Sequence, residues 1–338
     1  MIIDFHTHIF PDKISASVIK KLAIASRTKA YTDGSAAALT ASMKQAGVDL
    51  SVNMPVMTRP DQVEKINTSM IRSLEQLLSN GLSAGSNSAS CVPSNGVPTG
   101  SRLSDGISAN SVSTNGVPVN DNLSDSICAS SLPAHAILPF GGMHPDYPDY
   151  RAELKRLAEN HIPGIKLHPA YQQTDLDDIR FLRIIECACE NGLIVLTHAG
   201  LDIGLPEKNY ATVPQILKVI DTVHPDKFVL AHMGNWAAWD EVERDLAGAP
   251  VWLDTAFSIG RVEPNPDVDE PPMRDMHLTD EDFVRLARKH GTDRVLFATD
   301  SPWADQAEYV GYIRRMPFSE EEKSQIFYEN AKKLLRIF

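Results

Sequence analysis

At 338 residues the chain can bury a large core, and roughly 250 residues suffice for one β/α barrel. A formal net charge of −12 argues against a nucleic-acid surface, because neutralising phosphates takes clustered Lys and Arg. No apolar run reaches the roughly 20 residues of a membrane span, and the chain opens directly on a strand, so no signal peptide is expected. Cys187 and Cys189 stand two apart on an expected helix, a spacing that suits neither a disulfide nor a zinc knuckle. With Cys91 and Cys128 they read as small thiols of a protein in the reducing cytoplasm.

Buried-strand and amphipathic-helix signals alternate along the chain, the pattern of a parallel α/β fold. A strand at 1–6 is followed by a helix over 35–46, a strand at 48–54 and a helix over 60–78. After a break come strands at 136–142, 163–168, 193–198, 227–232, 250–254 and 294–299. Helices over 149–160, 178–191, 212–222, 236–247, 279–289 and 318–336 alternate with them. Eight strands and eight helices read as a (β/α)8 TIM barrel. A doubly wound open sheet is the alternative, but it places its ligand at one switch point. Here the candidate ligands end the first, fifth, sixth and eighth strands, and only a closed barrel sets the first beside the eighth. Residues 1–338 are therefore read as a single catalytic barrel domain.

The break, 79–134, is rich in Ser, Asn and Gly and carries a duplicated unit of 20 residues. Asn95-Gly96-Val97-Pro98 returns as Asn115-Gly116-Val117-Pro118, and Leu103-Ser104-Asp105 as Leu123-Ser124-Asp125. Two copies do not make a self-supporting solenoid, and the composition buries too little apolar surface to offset ordering. A flexible insertion is expected in the loop between the helix over 60–78 and the third strand. Such αβ loops sit on the barrel face opposite the chemistry, so it receives no catalytic role.

Four short apolar runs each end in a metal-binding residue. They end in Phe5-His6-Thr7-His8, Leu196-Thr197-His198, Leu230-Ala231-His232 and Ala298-Thr299-Asp300. Strand alternation lets His6 and His8 enter one site, and Asp4 precedes them by two residues. A buried carboxylate at Asp300 must be paired, hydrogen-bonded or metal-bound. Imidazoles and a carboxylate converging at strand ends are the donor types of a zinc-like catalytic ion.

The segments Asp-Phe-His-Thr-His, Gly-Ile-Lys-Leu-His-Pro, Thr-His-Ala-Gly, Ala-His-Met-Gly and Ala-Thr-Asp-Ser-Pro together resemble the amidohydrolase superfamily. Within it they resemble the amidohydrolase 2 family of decarboxylases, lactonases and hydrolases. The resemblance covers the chain outside 79–134. It implies a barrel holding one divalent ion, zinc first with manganese or iron as alternatives, through His6, His8, His198 and Asp300. It also implies an acid/base at His232, with Asp300 placed to take a proton from water. His232 as an orienting residue behind the site remains open.

Lys166 and His168 share one side of the fourth strand by alternation. They read as substrate-binding groups, with His144 after the third strand and Tyr171 after the fourth. In two-metal superfamily members a carboxylated lysine on this strand bridges the ions, so a second ion at Lys166 stays open as the less favoured case. Asp254 ends the seventh strand and could line the pocket or orient a ligand. Arg261 and Arg274 lie on a long loop over 258–278 that could contact anions. His135, His161, His224 and His290 read as surface or capping residues.

The resulting expectation is a metal-dependent hydrolase of a small amide, lactone or ester that works through a metal-activated water. A metal-dependent non-oxidative decarboxylase or hydratase on the same scaffold is the alternative. A TatD-like deoxyribonuclease lacks its bridging glutamate here, and a non-catalytic metal- or partner-binding barrel is the bland reading. The expected partner is a small molecule, not nucleic acid or membrane, with a homodimer left open.

Overall fold

The apolar runs become strands buried on both faces, as their lack of polar alternation requires. The structure, a computed structural model, describes residues 1–84, 132–272 and 276–337. The strands are β1 (Ile3–Thr7), β2 (Leu50–Asn53), β3 (Ala136–Pro139), β4 (Gly141–Gly142), β5 (Gly164–Leu167), β6 (Ile194–Thr197), β7 (Phe228–Leu230), β8 (Trp252–Asp254) and β9 (Val295–Leu296). Neighbours pair in parallel, in the orders β1-β2-β3 and β4 through β9. Only Phe140 separates β3 from β4, and its N–H donates to Asn53 O at 3.0 Å. These two segments are one interrupted stave, so nine strands make eight staves.

The barrel closes beyond the regular end of β9. Phe5 N–H donates to Phe297 O, Asp300 N–H to His6 O and His8 N–H to Ser301 O, at 2.9, 2.9 and 2.7 Å. Thr7 and Ser301 form a parallel bridge. The first and last strands are therefore neighbours, and the open-sheet alternative is excluded.

Helices form where a cap and an apolar stripe coincide. Ser35 accepts Ala38 N–H ahead of α2 (Ala36–Ala46), and Gly47 ends that helix at φ +72°. Asp178 caps α5 (Ile179–Glu190) through Arg180 N–H, and Thr279 caps α8 (Asp280–His290) through Asp282 N–H. The helix expected over 60–78 runs on as α3 (Val63–Ala84). Two helices outside the sequence pattern are present, α1 (Ser15–Ser26) and α9 (Gln306–Arg315). Both lie in connections after strand ends.

The last helix, expected to be continuous, contains a π segment at Gln325–Glu329. The wider turn changes which carbonyls the helix uses, and Ile326 O accepts Phe297 N–H at 2.9 Å. That donor belongs to the strand just where β9 pairing stops, so the π turn satisfies a buried N–H.

Most of the segment over 79–134 lies outside the described residues, including both copies of its repeat. The chain leaves the described part at the end of α3 and returns just before β3. Arg274 also lies outside it.

His290 corrects one sequence expectation. Rather than capping a surface helix end, it is buried, with Nε2–H donating to Val251 O at 3.0 Å and Nδ1 accepting Gly248 N–H at 3.3 Å. Burial pushes its pKa down to about 4, so the neutral form belongs to the folded state. Its stabilisation is present above the unfolded pKa of about 6.5 and is lost as pH falls toward about 4. Between pH 7.5 and 5 the native chain should lose about 2 kcal/mol more stability than His290→Gln, which keeps a donor without titrating. Denaturant melts at both pH values measure this, and equal losses would place the acid sensitivity elsewhere.

Candidate metal centre

His6 sits where β1 slips against β2. The register passes from Asp4↔Ser51 to Thr7↔Asn53, a bulge of the kind that re-aims a side chain beside a site. Asp4 is not available as a ligand. Its oxygens accept Thr299 N–H and Oγ1–H at 3.0 and 2.6 Å, Gln306 Nε2–H at 2.7 Å and His6 N–H at 3.3 Å.

The tautomers of the first-strand pair follow from their partners. His8 Nδ1 lies 2.7 Å from Met54 O, and a carbonyl only accepts, so Nδ1 carries the proton. His6 Nδ1 lies 2.9 Å from Asp254 Oδ2 and donates likewise. Both Nε2 lone pairs therefore face inward, 3.1 Å apart. Asp300 Oδ1 stands 3.0 Å from His8 Nε2 and 3.5 Å from His6 Nε2. Donor atoms around a tetrahedral zinc at about 2.0–2.2 Å are separated by roughly 3.3 Å. The separations among His6, His8 and Asp300 thus match a divalent ion's spacing.

Three acceptors facing one another repel unless a cation lies among them. In this structure Lys166 supplies the charge, with Nζ donating to His6 Nε2 at 2.9 Å. Burial lowers Lys166 to about 8, against the pull of Asp300, Asp254 and Asp202. Burial, and then Lys166, hold His6 well below the usual imidazole range, so it is neutral. Burial pushes Asp300 up, but the surrounding imidazoles and the positive charge of Lys166 outweigh it, so its pKa lies below the ordinary carboxylate value and the carboxylate stays ionised. Asp300 takes this position at φ +65°, a left-handed conformation that Asp tolerates better than most residues.

His198 and His232 form a second pair. His232 Nδ1–H donates to Ala256 O at 2.8 Å, which leaves its Nε2 lone pair 3.0 Å from His198 Nδ1. If His198 Nδ1–H donates there, His198 Nε2 is a bare lone pair. That atom is buried without a partner, the state of an acceptor meant for a cation. His198 is not grouped with His6, His8 and Asp300; its close donor set is His168 and Asp202. The rings of His198 and His168 stack at 4.4 Å, and His168 Nε2 lies 3.6 Å from Asp202 Oδ2. His232 links the sets, with ring centroids 5.6 Å from His6 and 4.7 Å from His198.

Tyr171 stands edge-on to His168 at 4.5 Å. His144 is turned elsewhere, with Nδ1 accepting Asp146 N–H at 3.1 Å. Arg261 is exposed. Asp202 is a site group that the sequence pattern does not single out. Its one signal is a carboxylate four residues beyond His198, in a Gly-containing loop after a strand end.

Residues 120–337 match the family model Amidohydro_2, amidohydrolase. The chain belongs to this family. No curated protein matches this amidohydrolase in sequence. Solved structures share its fold. The 5-carboxyvanillate decarboxylase of Sphingomonas paucimobilis is 16% identical with a TM-score of 0.54, covering 100% of this chain and 99% of that one. The 2,6-dihydroxybenzoate decarboxylase of Rhizobium is 12% identical with a TM-score of 0.57, covering 99% and 98%. The 5-carboxyvanillate decarboxylase of Novosphingobium aromaticivorans, complexed with manganese and a nitrobenzoic acid, is 15% identical with a TM-score of 0.56, covering 100% and 96%. At such identities the likeness carries the TIM-barrel fold, and the family match carries the enzyme class.

Proposed function

We propose that this amidohydrolase is a metal-dependent hydrolase of a small carbonyl compound, an amide, lactone or ester. The observation that supports it is the inward convergence of two proton-free Nε2 atoms and an ionised carboxylate. His6, His8 and Asp300 would hold a divalent ion, zinc first with manganese or iron as alternatives. His198, with its unpartnered Nε2, is the remaining histidine suited to it. Bound there, such an ion supplies a water that ionises near a pH of about 7.

The other duties fall to the chain. Asp300 stays ionised and can take a proton at its free oxygen. His232, neutral because burial pushes it down to about 4, carries no proton on Nε2 and would take there the proton that Asp300 removes from water before giving it to a leaving group. Lys166 Nζ can offset negative charge developing on a carbonyl oxygen. Lys166, His168 and Tyr171 line the approach to both donor sets, and His144 is kept as a more distant substrate contact. The His168, His198 and Asp202 set makes a second ion a measurable alternative.

Decarboxylation is the second reading, favoured by one observation. Lys166 is the single lysine or arginine buried among the described residues, so it is the group placed to hold a substrate carboxylate. The aromatic acids named for the fold neighbours belong in the substrate panel for that reason. Two described cysteines, Cys187 and Cys189, are free thiols, which supports placing the enzyme in the reducing cytoplasm; no described helix is long and apolar enough to cross a membrane.

The test runs the metal-loaded chain on lactones, amides, esters and hydroxybenzoates in heavy-oxygen, deuterated water. Hydrolysis puts solvent oxygen into the acid product. Carbon dioxide release with deuterium on the product carbon would turn the assignment to decarboxylation. No turnover across the panel by a metal-bearing chain would favour the binding reading.

A further inference from the structure

Asp254 ends β8 with no solvent exposure, and its two oxygens have separate partners. Oδ2 accepts His6 Nδ1–H at 2.9 Å. Oδ1 accepts the backbone N–H of His232 at 2.9 Å and that of Ala256 at 3.0 Å. Ala256 O then accepts His232 Nδ1–H. One carboxylate thus reaches a first-strand donor, and it holds both the main chain of His232 and the residue that fixes the His232 ring. The main chain it holds is strained. His232 and Met233 sit at φ +60° and +53°, a left-handed conformation unfavourable to a residue with a side chain.

We propose that Asp254 is the positioning residue of this centre. It selects the His6 tautomer whose Nε2 is free, and it holds His232 in the left-handed turn that aims its Nε2 at His198. The inference rests on the reading of His6 as a metal ligand, and it adds a residue on another strand on which that ligation depends. The chemistry is specific to a carboxylate, which accepts at both oxygens. An amide accepts at one end and donates at the other. With its NH2 toward His6, the imidazole must move its proton to Nε2 and lose the inward lone pair. With its NH2 toward the backbone, the N–H groups of His232 and Ala256 face another donor. In either orientation Asn fails one of the two duties.

The experiment measures zinc affinity of the metal-stripped full chain by competition with a chromophoric chelator, for the native protein and Asp254→Asn. Imidazole nitrogen NMR and a thermal melt accompany it. Asp254→Asn should bind zinc about 10–100-fold more weakly, the usual range for carboxylates behind metal-bound histidines, with a detectable His6 proton on Nε2. Zinc affinity within a factor of about three of native, whatever the melting temperature, would overturn the positioning role and leave His6 as a ligand. A native chain that takes up no zinc would overturn the ligand reading and this inference with it. If Asp254→Asn does not fold, the NMR of the metal-free native chain decides. A proton on His6 Nδ1 supports the role, and one on Nε2 overturns it.

Discussion

Replacing His6 by alanine is expected to remove bound metal and lower turnover by at least about a thousandfold, or about 4 kcal/mol of transition-state stabilisation. The size follows from what converges on one atom. His6 Nε2 lies within 3.1 Å of His8 Nε2 and 3.5 Å of Asp300 Oδ1, so its loss opens the side of the donor set that faces Lys166. His8→Ala and Asp300→Ala should act alike, because each removes one of the same three donors. His232→Asn should behave differently, with turnover falling and most of the metal retained, since His232 faces His198 and not that trio. Elemental analysis beside steady-state rates separates these cases. A His6→Ala chain with one ion bound and native turnover would sink the centre assigned here.

The second large effect is on stability. Asp4→Ala should cost about 4 kcal/mol in the metal-free chain and lower the melting temperature by about 6 °C. Asp4 is the buried acceptor for Thr299 N–H and Oγ1–H, Gln306 Nε2–H and His6 N–H. Those donors bring together β1, the strand end that carries Asp300, and α9. Truncation strands several of them without water, at about 1–3 kcal/mol for a buried unsatisfied group. Burial raises Asp4 to about 6, which leaves it mostly ionised at neutral pH, held by the four donors. Asp4→Asn, which keeps an acceptor, should lose roughly half as much. Urea melts of the two variants test the order, and an Asp4→Ala loss below about 1 kcal/mol would show that the closure does not depend on it.

Much of the site is legible in the amino-acid sequence. The runs ending in His6, His198, His232 and Asp300 are apolar because parallel barrel strands are buried on both faces, and a polar group closing such a run is conspicuous. Positions in the strand order then require a closed barrel, and the backbone bonds from Phe5 and Asp300 close it. Other features leave weaker traces. Asp202 looks like any loop carboxylate, since nothing local records that it meets His168. His290 occupies an ordinary helix-end position, and its burial comes from packing against the chain near Val251. The π turn at Gln325–Glu329 answers a strand N–H nearly thirty residues away in sequence.

Hydrophobic period and strand order are written locally along the chain, so they dictate the barrel and which residue types crowd the C-terminal ends of its strands. Which atoms of those residues face one another follows only from packing between distant segments. His6, His8 and Asp300 form one donor set, while His198 joins His168 and Asp202. That division depends on a bulge in β1, on left-handed turns at His232 and Asp300, and on proton positions imposed by Asp254, Met54 O and Ala256 O. Each of these is a contact between distant strands, and no pattern within a single segment encodes it.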